Sequence, residues 1–361
     1  MKVAIITDTH WGARNDSQVF TDYFLKFYND VFFPTLLERN IDTVIHMGDI
    51  VDRRKFINYK TLYQMRKGFF DRCWEQYINL HLIIGNHDTF FKNTNNVNSM
   101  DCLRMMRSGS EGDGGGFIKV YEEPTEIELD GLKCLMQPWI CPENKEHSLD
   151  MIAKTDAQIL FGHLEVQGFT MHVGQTNFEG LPQSTFDKFD FAFSGHFHHK
   201  SDNGTVYYLG NPYQITWSDY QDSRGFHIFD TETRELEFIV NPYEMFYKIN
   251  YDDENSSLEE INELDYSTYK GCYVKIIVIN KKNPFWFDTL IDKLYKADVA
   301  DISIAENFDL DMLEGDDLID EAEDTITILS KYVNSLELEN KKELDTLMKS
   351  LYTESLTMET I

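Results

Sequence analysis

Short β-branched runs alternate with longer stretches of helical period over the first third of the chain. Val3–Thr7 reads as a buried strand, Thr43–Met47 as a second and Leu80–Ile84 as a third. Between them, Val19, Phe20, Tyr23, Phe24, Phe27 and Val31 give Val19–Glu38 one apolar helical face, and Tyr59–Tyr77 carries a second helical pattern. This β-α-β-α-β order predicts parallel strands with crossover helices, and reactive groups in the loops after the strand C-termini.

From about residue 117 the pattern turns to strands and hairpins. Thr125–Leu129, Leu132–Gln137, Gln158–Phe161, Phe189–Ser194, Thr205–Leu209, Phe226–Asp230 and Leu236–Val240 read as strands of a second sheet packed on the first, with one helix near Ser148–Lys154. Residues 1–246 are therefore taken as the main domain. Residues 247–305 read as a small α/β module, with strands at Tyr273–Ile279 and Ala300–Ile304 around a helix at Phe285–Lys296 that opens on Pro284. Glu306–Asp324 holds ten acidic residues and no Lys or Arg, which predicts a solvated linker. In the last segment, 325–361, Leu344, Leu347, Met348, Leu351 and Tyr352 fall on one helical face, and the acidic stretch before them favours a partner-binding element.

Charge sharpens this division. The 361 residues carry a net charge of −29, but residues 1–120 hold 15 Lys+Arg against 14 Asp+Glu, leaving 18 against 48 for the remainder. The bulk acidity argues against a phosphate-rich partner, and the nearly neutral N-terminal third is where one could dock. Five cysteines with no CxxC fit a reduced, cytoplasmic setting. The first apolar run ends at Asp8, too short for a signal peptide, and no stretch reaches membrane-spanning length.

Five short pieces place metal-capable residues just after predicted strands: Asp8-Thr9-His10, Gly48-Asp49, Gly85-Asn86-His87-Asp88, Gly162-His163 and Gly195-His196-Phe197-His198. In four of them a glycine precedes the ligand, expected to let the backbone turn sharply as the strand ends. Any one piece is weak; five in order form a ligand cluster. Seven side chains, Asp8, His10, Asp49, Asn86, His163, His196 and His198, exceed what one ion takes, whereas two ions sharing one carboxylate accommodate them. The oxygen-and-imidazole mixture suits Mn²⁺, Fe or Zn²⁺ better than Ca²⁺. Two such ions roughly 4 Å apart activate water and clamp phosphoryl oxygens. His87, beside Asn86, is placed to serve the leaving oxygen, and Asp88 to orient a neighbouring histidine.

The order D-x-H, GD, GNHD, GH, GHxH resembles that of the calcineurin-like metallophosphoesterases. The resemblance implies a four-layer αββα core of two sheets. It implies one ion on Asp8, His10, Asp49 and His198, a second on Asp49, Asn86, His163 and His196, and His87 as the catalytic histidine. The segments KVAIITDTHWG, HMGDIVDRRK, PWICPEN and SGHFH narrow the likeness to nuclease subunits of SbcCD-type recombination complexes, those of bacteriophages in particular. That likeness implies a DNA exonuclease and endonuclease using two divalent ions, Mn²⁺ first and Mg²⁺ second. It also implies an SbcC-type coiled-coil ATPase partner held by the C-terminal helices, a homodimer, a cap that contacts DNA, and the host cytoplasm if the chain is phage-encoded. Many cellular relatives carry a histidine three residues after the bridging aspartate; this chain has Asp52, which is left out of the catalytic set. The competing functions are a metallophosphoesterase for phosphoproteins or small esters, and a scaffold that kept the fold.

Other residues carry two readings each. Arg53, Arg54 and Lys55 follow the Asp49 loop and are candidate DNA-backbone contacts, with Lys92 a weaker one; the alternative is a solvated basic loop. Gly109–Phe117 lacks the Gly-Lys-Ser/Thr ending of a phosphate-binding loop and reads as a flexible connection. Trp11 can stack on a base or pack, and packing is expected; His46 is expected to pack within its strand, and His199 to be exposed rather than a ligand.

Overall fold

The computed structural model describes residues 1–105, 117–172 and 175–306, together with 333, 341, 344 and 346–348. The glycine-rich stretch before Phe117, the acidic stretch after Glu306, and Leu351 and Tyr352 lie outside these residues.

The chain opens with β1 (Lys2–Ile6), β2 (Thr43–His46), β3 (Asn79–Ile83) and β4 (Ile118–Tyr121), all parallel neighbours in that order. It then builds a second sheet from β5 (Thr125–Leu129), β6 (Leu132–Gln137) and β7 (Ile159–His163). A hairpin of β8 (Thr170–His172) and β9 (Gln175–Thr176) intervenes before β10 (Phe191–Gly195), β11 (Ser201–Asp202) and β12 (Val206–Tyr208) complete that sheet. The next two strands, β13 (Gly225–Asp230) and β14 (Leu236–Val240), return to the first sheet. This corrects the sequence expectation, which put them in the second. β13 runs antiparallel to β1, pairing Val3 with Phe229, and so covers the edge that the parallel crossovers leave open.

The period of two along each strand divides the side chains between layers. Val3 and Ile5 of β1 join Ile45, Met47 and Ile83 in a core shared with Cys134, Met136, Ile159, Phe161 and Phe193 of the second sheet. Ala4 and Ile6 face the other way, onto helices that supply Phe20, Phe24, Phe27, Phe32 and Phe69. Leu135, Leu160 and Ala192 similarly meet Ile152 and Phe186 beyond the second sheet. Two sheets enclosed by two helical layers result. The first crossover, helix Gln18–Phe27, continues through a π-turn at Tyr28–Phe32 into helix Phe33–Glu38. Trp11 packs there, stacked on Tyr28 with ring centroids 5.6 Å apart.

A third, three-stranded parallel sheet follows: β15 (Phe246–Asp252), β16 (Tyr273–Asn280) and β17 (Asp301–Glu306). Helix Pro284–Lys296 covers it with Phe287, Leu290 and Leu294. Tyr273 and Phe246 meet Phe20 of the main body at 5.5 and 6.1 Å between ring centroids. Among the described residues no helix is long and apolar enough to cross a membrane.

Two buried histidines make the fold sensitive to acid. Burial, then Lys200, pushes His227 down to about 3; burial, then Lys119, pushes His81 down to about 4. Both are neutral when folded, whereas an unfolded histidine takes a proton near pH 6.5. Their contribution is complete above that pH and drains away as pH falls toward the folded values. Urea denaturation of His227→Phe is expected to lose about 2 kcal/mol less than the parent between pH 6.5 and 5.

Candidate metal centre

The loops after β1, β2, β3, β7 and β10 converge on one rim, as parallel strand order requires. Asp8, His10 and His198 form one group of metal-capable atoms and Asp49, His163 and His196 another; within each group the atoms lie within 4.8 Å of one another. Asn86 joins the second, its Oδ1 lying 2.8 Å from His163 Nε2 and 2.9 Å from His196 Nδ1. Asp49 Oδ2 stands between the groups, 3.3 Å from His163 Nε2 and 4.0 Å from His10 Nε2. All seven expected ligand side chains are therefore brought together, from strand-end loops of both sheets.

The donor chemistry fits divalent cations. Two carboxylates, one amide oxygen and four imidazoles form a set suited to Mn²⁺, Fe or Zn²⁺. The Nε2 atoms of buried His10 and half-buried His198 face each other at 3.0 Å, an arrangement that a shared cation resolves. Burial works to raise Asp49, yet the imidazoles of His163 and then His87 hold it well below the usual carboxylate range. Burial likewise works to lower His163, and Asp49 outweighs it, raising the imidazole to about 9.

The loops that carry these candidate ligands are strained. Asp8, His10, Asp49 and His196 all have positive φ, at 51°, 41°, 53° and 85°. Each such residue costs about 1–2 kcal/mol. Backbone bonds from Asp8 to the Gly48 carbonyl at 3.0 Å and from His10 to the Asp49 carbonyl at 3.1 Å hold the first two loops in register.

Asp88 supplies the strongest restraint, and its role differs from the one expected. Rather than orienting a histidine, its buried carboxylate accepts from four backbone amides. Oδ2 takes Asp49 N at 2.8 Å and Gly85 N at 2.9 Å; Oδ1 takes Ile50 N at 2.9 Å and Val51 N at 3.3 Å. Burial, then Asp49, raises this carboxyl to about 7, against the pull of the amides.

The glycines also serve another purpose than sharp turning. Only Gly48 among the four has a positive φ. A Cβ on Gly85 would lie 2.2 Å from Asp49 Oδ1, and one on Gly195 would lie 2.0 Å from Thr7 Oγ1 and 2.8 Å from Asp8 Oδ2. These positions are glycine because Asp49 passes directly over the backbone at Gly85, and Thr7 and Asp8 over it at Gly195.

His87 lies against this centre. Its backbone amide donates to Asp49 Oδ1 at 2.7 Å, and its ring meets His10 edge-on with centroids 4.9 Å apart. Its Nδ1 donates to the Asp52 carbonyl at 2.6 Å, which fixes the tautomer and leaves Nε2 as the titrating nitrogen. Asp52 also sets its carboxylate Oδ1 3.6 Å from His10 Nδ1. Sequence reasoning gave Asp52 no role; its spacing from Asp49 was the available signal. Behind His198, buried Arg224 donates to the His198 carbonyl and pairs with Asp219 at 2.7 Å, a support that nothing local in the sequence reveals. His199 is buried, not exposed, with Nδ1 2.5 Å from Asp222 Oδ2. His46 packs as expected, its Nε2 3.0 Å from Thr9 Oγ1.

The basic loop is mostly engaged. Arg53 pairs with Asp16. Arg54 donates to the Thr89 carbonyl at 3.1 Å, Thr89 Oγ1 at 2.8 Å and the Phe91 carbonyl at 3.1 Å. Lys55 is exposed. Of the C-terminal face, Leu344 and Met348 are half-buried and Leu347 is exposed.

The profile of the calcineurin-like phosphoesterase family matches residues 1–200. Exonuclease subunit 1 of Enterobacteria phage T4 is 29% identical over 338 residues, covering 93% of each chain. The SbcD chain of the nuclease SbcCD from Staphylococcus epidermidis is 28% identical over 273 residues, covering 65% of this chain and 67% of its own. A solved archaeal phosphodiesterase covers 67% of this chain and 100% of its own at 17% identity, with a TM-score of 0.32, too low to bear weight.

Two substitutions probe the restraints. Asp88→Ala leaves four buried amides without their acceptor and is expected to cost about 3 kcal/mol or more in urea denaturation. Gly85→Ala is expected to displace Asp49 and abolish uptake of divalent metal, measured by equilibrium dialysis, with secondary structure retained by circular dichroism.

Proposed function

The chain belongs to the calcineurin-like phosphoesterase family, and from that premise we propose that it is the nuclease subunit of a DNA end-processing assembly. It is a metal-dependent phosphodiesterase. The likeness to the T4 exonuclease subunit supports DNA as the substrate, because it covers 93% of both chains and so extends well beyond the catalytic core into the small sheet. A phosphatase for phosphoproteins or small esters would not need that sheet.

In this reading Asp8, His10, Asp49 and His198 hold one divalent ion, and Asp49, Asn86, His163 and His196 a second. Mn²⁺ is the first candidate and Mg²⁺ the second. Bound there, the ions would acidify water and neutralise the charge on the phosphoryl oxygens. The protein's own part is to fix geometry and move one proton. Asp49 spans both groups, and Asp88 holds its loop. The Asp52 carbonyl orients His87, whose protonated Nε2 donates to the leaving oxygen of the cleaved strand. Lys55 presents the exposed cation nearest the Asp49 loop to the DNA backbone, while Arg53 and Arg54 brace the loops beside it. Residues 247–305 contact DNA beyond the rim. The 325–361 segment, whose sequence carries Leu344, Leu347, Met348, Leu351 and Tyr352 at helical spacing, binds a coiled-coil ATPase of the SbcC type. The chain works as a homodimer in the cytoplasm.

With Mn²⁺, purified protein is expected to cleave labelled linear DNA and leave a phosphopeptide intact. His87→Ala should lower that rate about 10²- to 10⁴-fold while metal content by elemental analysis stays unchanged. Hydrolysis of small esters with none of DNA, even with the ATPase added, would overturn the nuclease reading.

A further inference from the structure

The loop that follows His87 is held firmly and yet presents two aromatic rings to water. Phe90 N donates to the Val97 carbonyl at 2.8 Å and Ser99 N to the Asp88 carbonyl at 2.8 Å, which closes the loop at its base. Asn95 Nδ2 donates to the Trp139 carbonyl at 2.9 Å and pins its far side. Phe90 and Phe91 nevertheless remain 40% and 46% exposed, their centroids 4.7 Å apart and their planes at 73°. The backbone bonds that close the loop do not call for phenyl rings, since small polar residues would satisfy them equally.

A third exposed aromatic stands on the neighbouring loop. Phe56 is 62% exposed, with the Arg53 guanidinium 4.4 Å from its ring centroid. Arg54 ties the two loops together through its bonds to Thr89 and the Phe91 carbonyl. The rings of Phe56, Phe90 and Phe91 therefore belong to one hydrogen-bonded unit, built on the loops that carry Asp49, Asn86 and His87.

The charge of this unit departs from that of the chain. In a protein with 62 acidic residues, positions 53–70 carry six cations and no Asp or Glu, and positions 89–100 carry Lys92 and no Asp or Glu; Arg53 pairs with Asp16, and Arg66 and Lys67 with Asp71, which leaves Lys55, Lys60 and Lys92 as the exposed cations outside these pairs. Lys55 and Lys92 are both exposed. The nearest acids of the rest of the chain that touch the second loop, Glu122 and Glu143, accept from Asn98 and Asn96. Exposed rings interleaved with cations are the makings of a single-strand platform, in which bases stack on aromatics while lysines follow the phosphates. A second copy of this chain is a poorer occupant, because a two-fold interface sets each patch against itself and would bring like charges together.

We propose that Phe56, Phe90 and Phe91 form a base-stacking platform that takes the unpaired nucleotides of a frayed DNA end and leads their backbone to the metal centre. The proposal rests on the nuclease reading and narrows its substrate to a strand with unstacked bases. The platform favours no base, since every base offers a π-face.

The test compares two fluorescein-labelled oligonucleotides, each about twelve nucleotides long. One is oligothymidylate and the other an abasic strand with the same phosphates. Binding to the full chain is read by anisotropy in EDTA, which prevents cleavage. The parent protein is expected to bind oligothymidylate about tenfold or more tightly than the abasic strand, and Phe90→Ala/Phe91→Ala to erase that ratio while the abasic affinity stays put. Because the parent's ratio needs no substitution, the test survives a poorly folded variant; Phe90→Trp/Phe91→Trp should restore the preference. Equal binding of both strands by a parent that still cleaves duplex DNA would overturn the platform and leave the nuclease reading standing. Failure of the parent to bind or cleave any DNA would sink both. A dimer-to-monomer shift in the Phe90→Ala/Phe91→Ala variant by sedimentation velocity, with the ratio unchanged, would assign the rings to self-association instead.

Discussion

One buried carboxylate holds the two most important ligand loops in place. Asp88 accepts the amides of Gly85, Asp49, Ile50 and Val51, and so binds the loop after β3 to the loop after β2. Asp49 needs this restraint because its own φ lies in the left-handed region, which a free loop would relax out of. Every further feature of the centre presumes the restraint. Asp49 Oδ2 can stand between two groups of ligands only if its loop cannot swing, and His87 is anchored to the same carboxylate through its backbone amide. The strain in the ligand loops is balanced by bonds of this kind, not by favourable local conformation.

The same logic explains the tight backbone contacts. Gly85 and Gly195 sit beneath ligand carboxylates with no room for a methyl group. Close passage lets side chains from opposite sheets meet at one rim although the strands bearing them belong to separate layers. His163 and His196 come from the second sheet, Asp49 and Asn86 from loops of the first, and their donor atoms nevertheless approach within hydrogen-bonding distance. A strongly acidic protein thereby concentrates imidazoles and a few carboxylates where cations can be held, and cations placed there reverse the local sign for an anionic substrate.

Much of this was legible in the residues. The first three strands and two helices follow from β-branched runs alternating with a helical period, and the seven candidate ligands that the fold brings together follow from metal-capable residues placed directly after predicted strands. What escaped is long-range. The return of Gly225–Asp230 and Leu236–Val240 to the first sheet depends on an open edge at β1, not on their own pattern. β4 is short, with only Tyr121 buried; β15 does alternate, Tyr247, Ile249 and Tyr251 against Lys248, Asn250 and Asp252, and that signal went unused. Asp88 was visible within Gly-Asn-His-Asp, but three of its four amide partners lie nearly forty residues away in sequence, and the exposed reading of His199 fails because its partner Asp222 is brought in by the fold. Local pattern reports burial and period; it does not report which distant amide a buried carboxylate will meet.

The central claim is that two ions share Asp49 at this rim. Electron paramagnetic resonance of the full chain titrated with Mn²⁺ tests it most directly. Two equivalents bound per chain, with a spectrum of exchange-coupled spins that reverts to isolated spins in Asp49→Asn, is the result this account predicts. A single uncoupled ion at saturation, or no bound Mn²⁺, would contradict it.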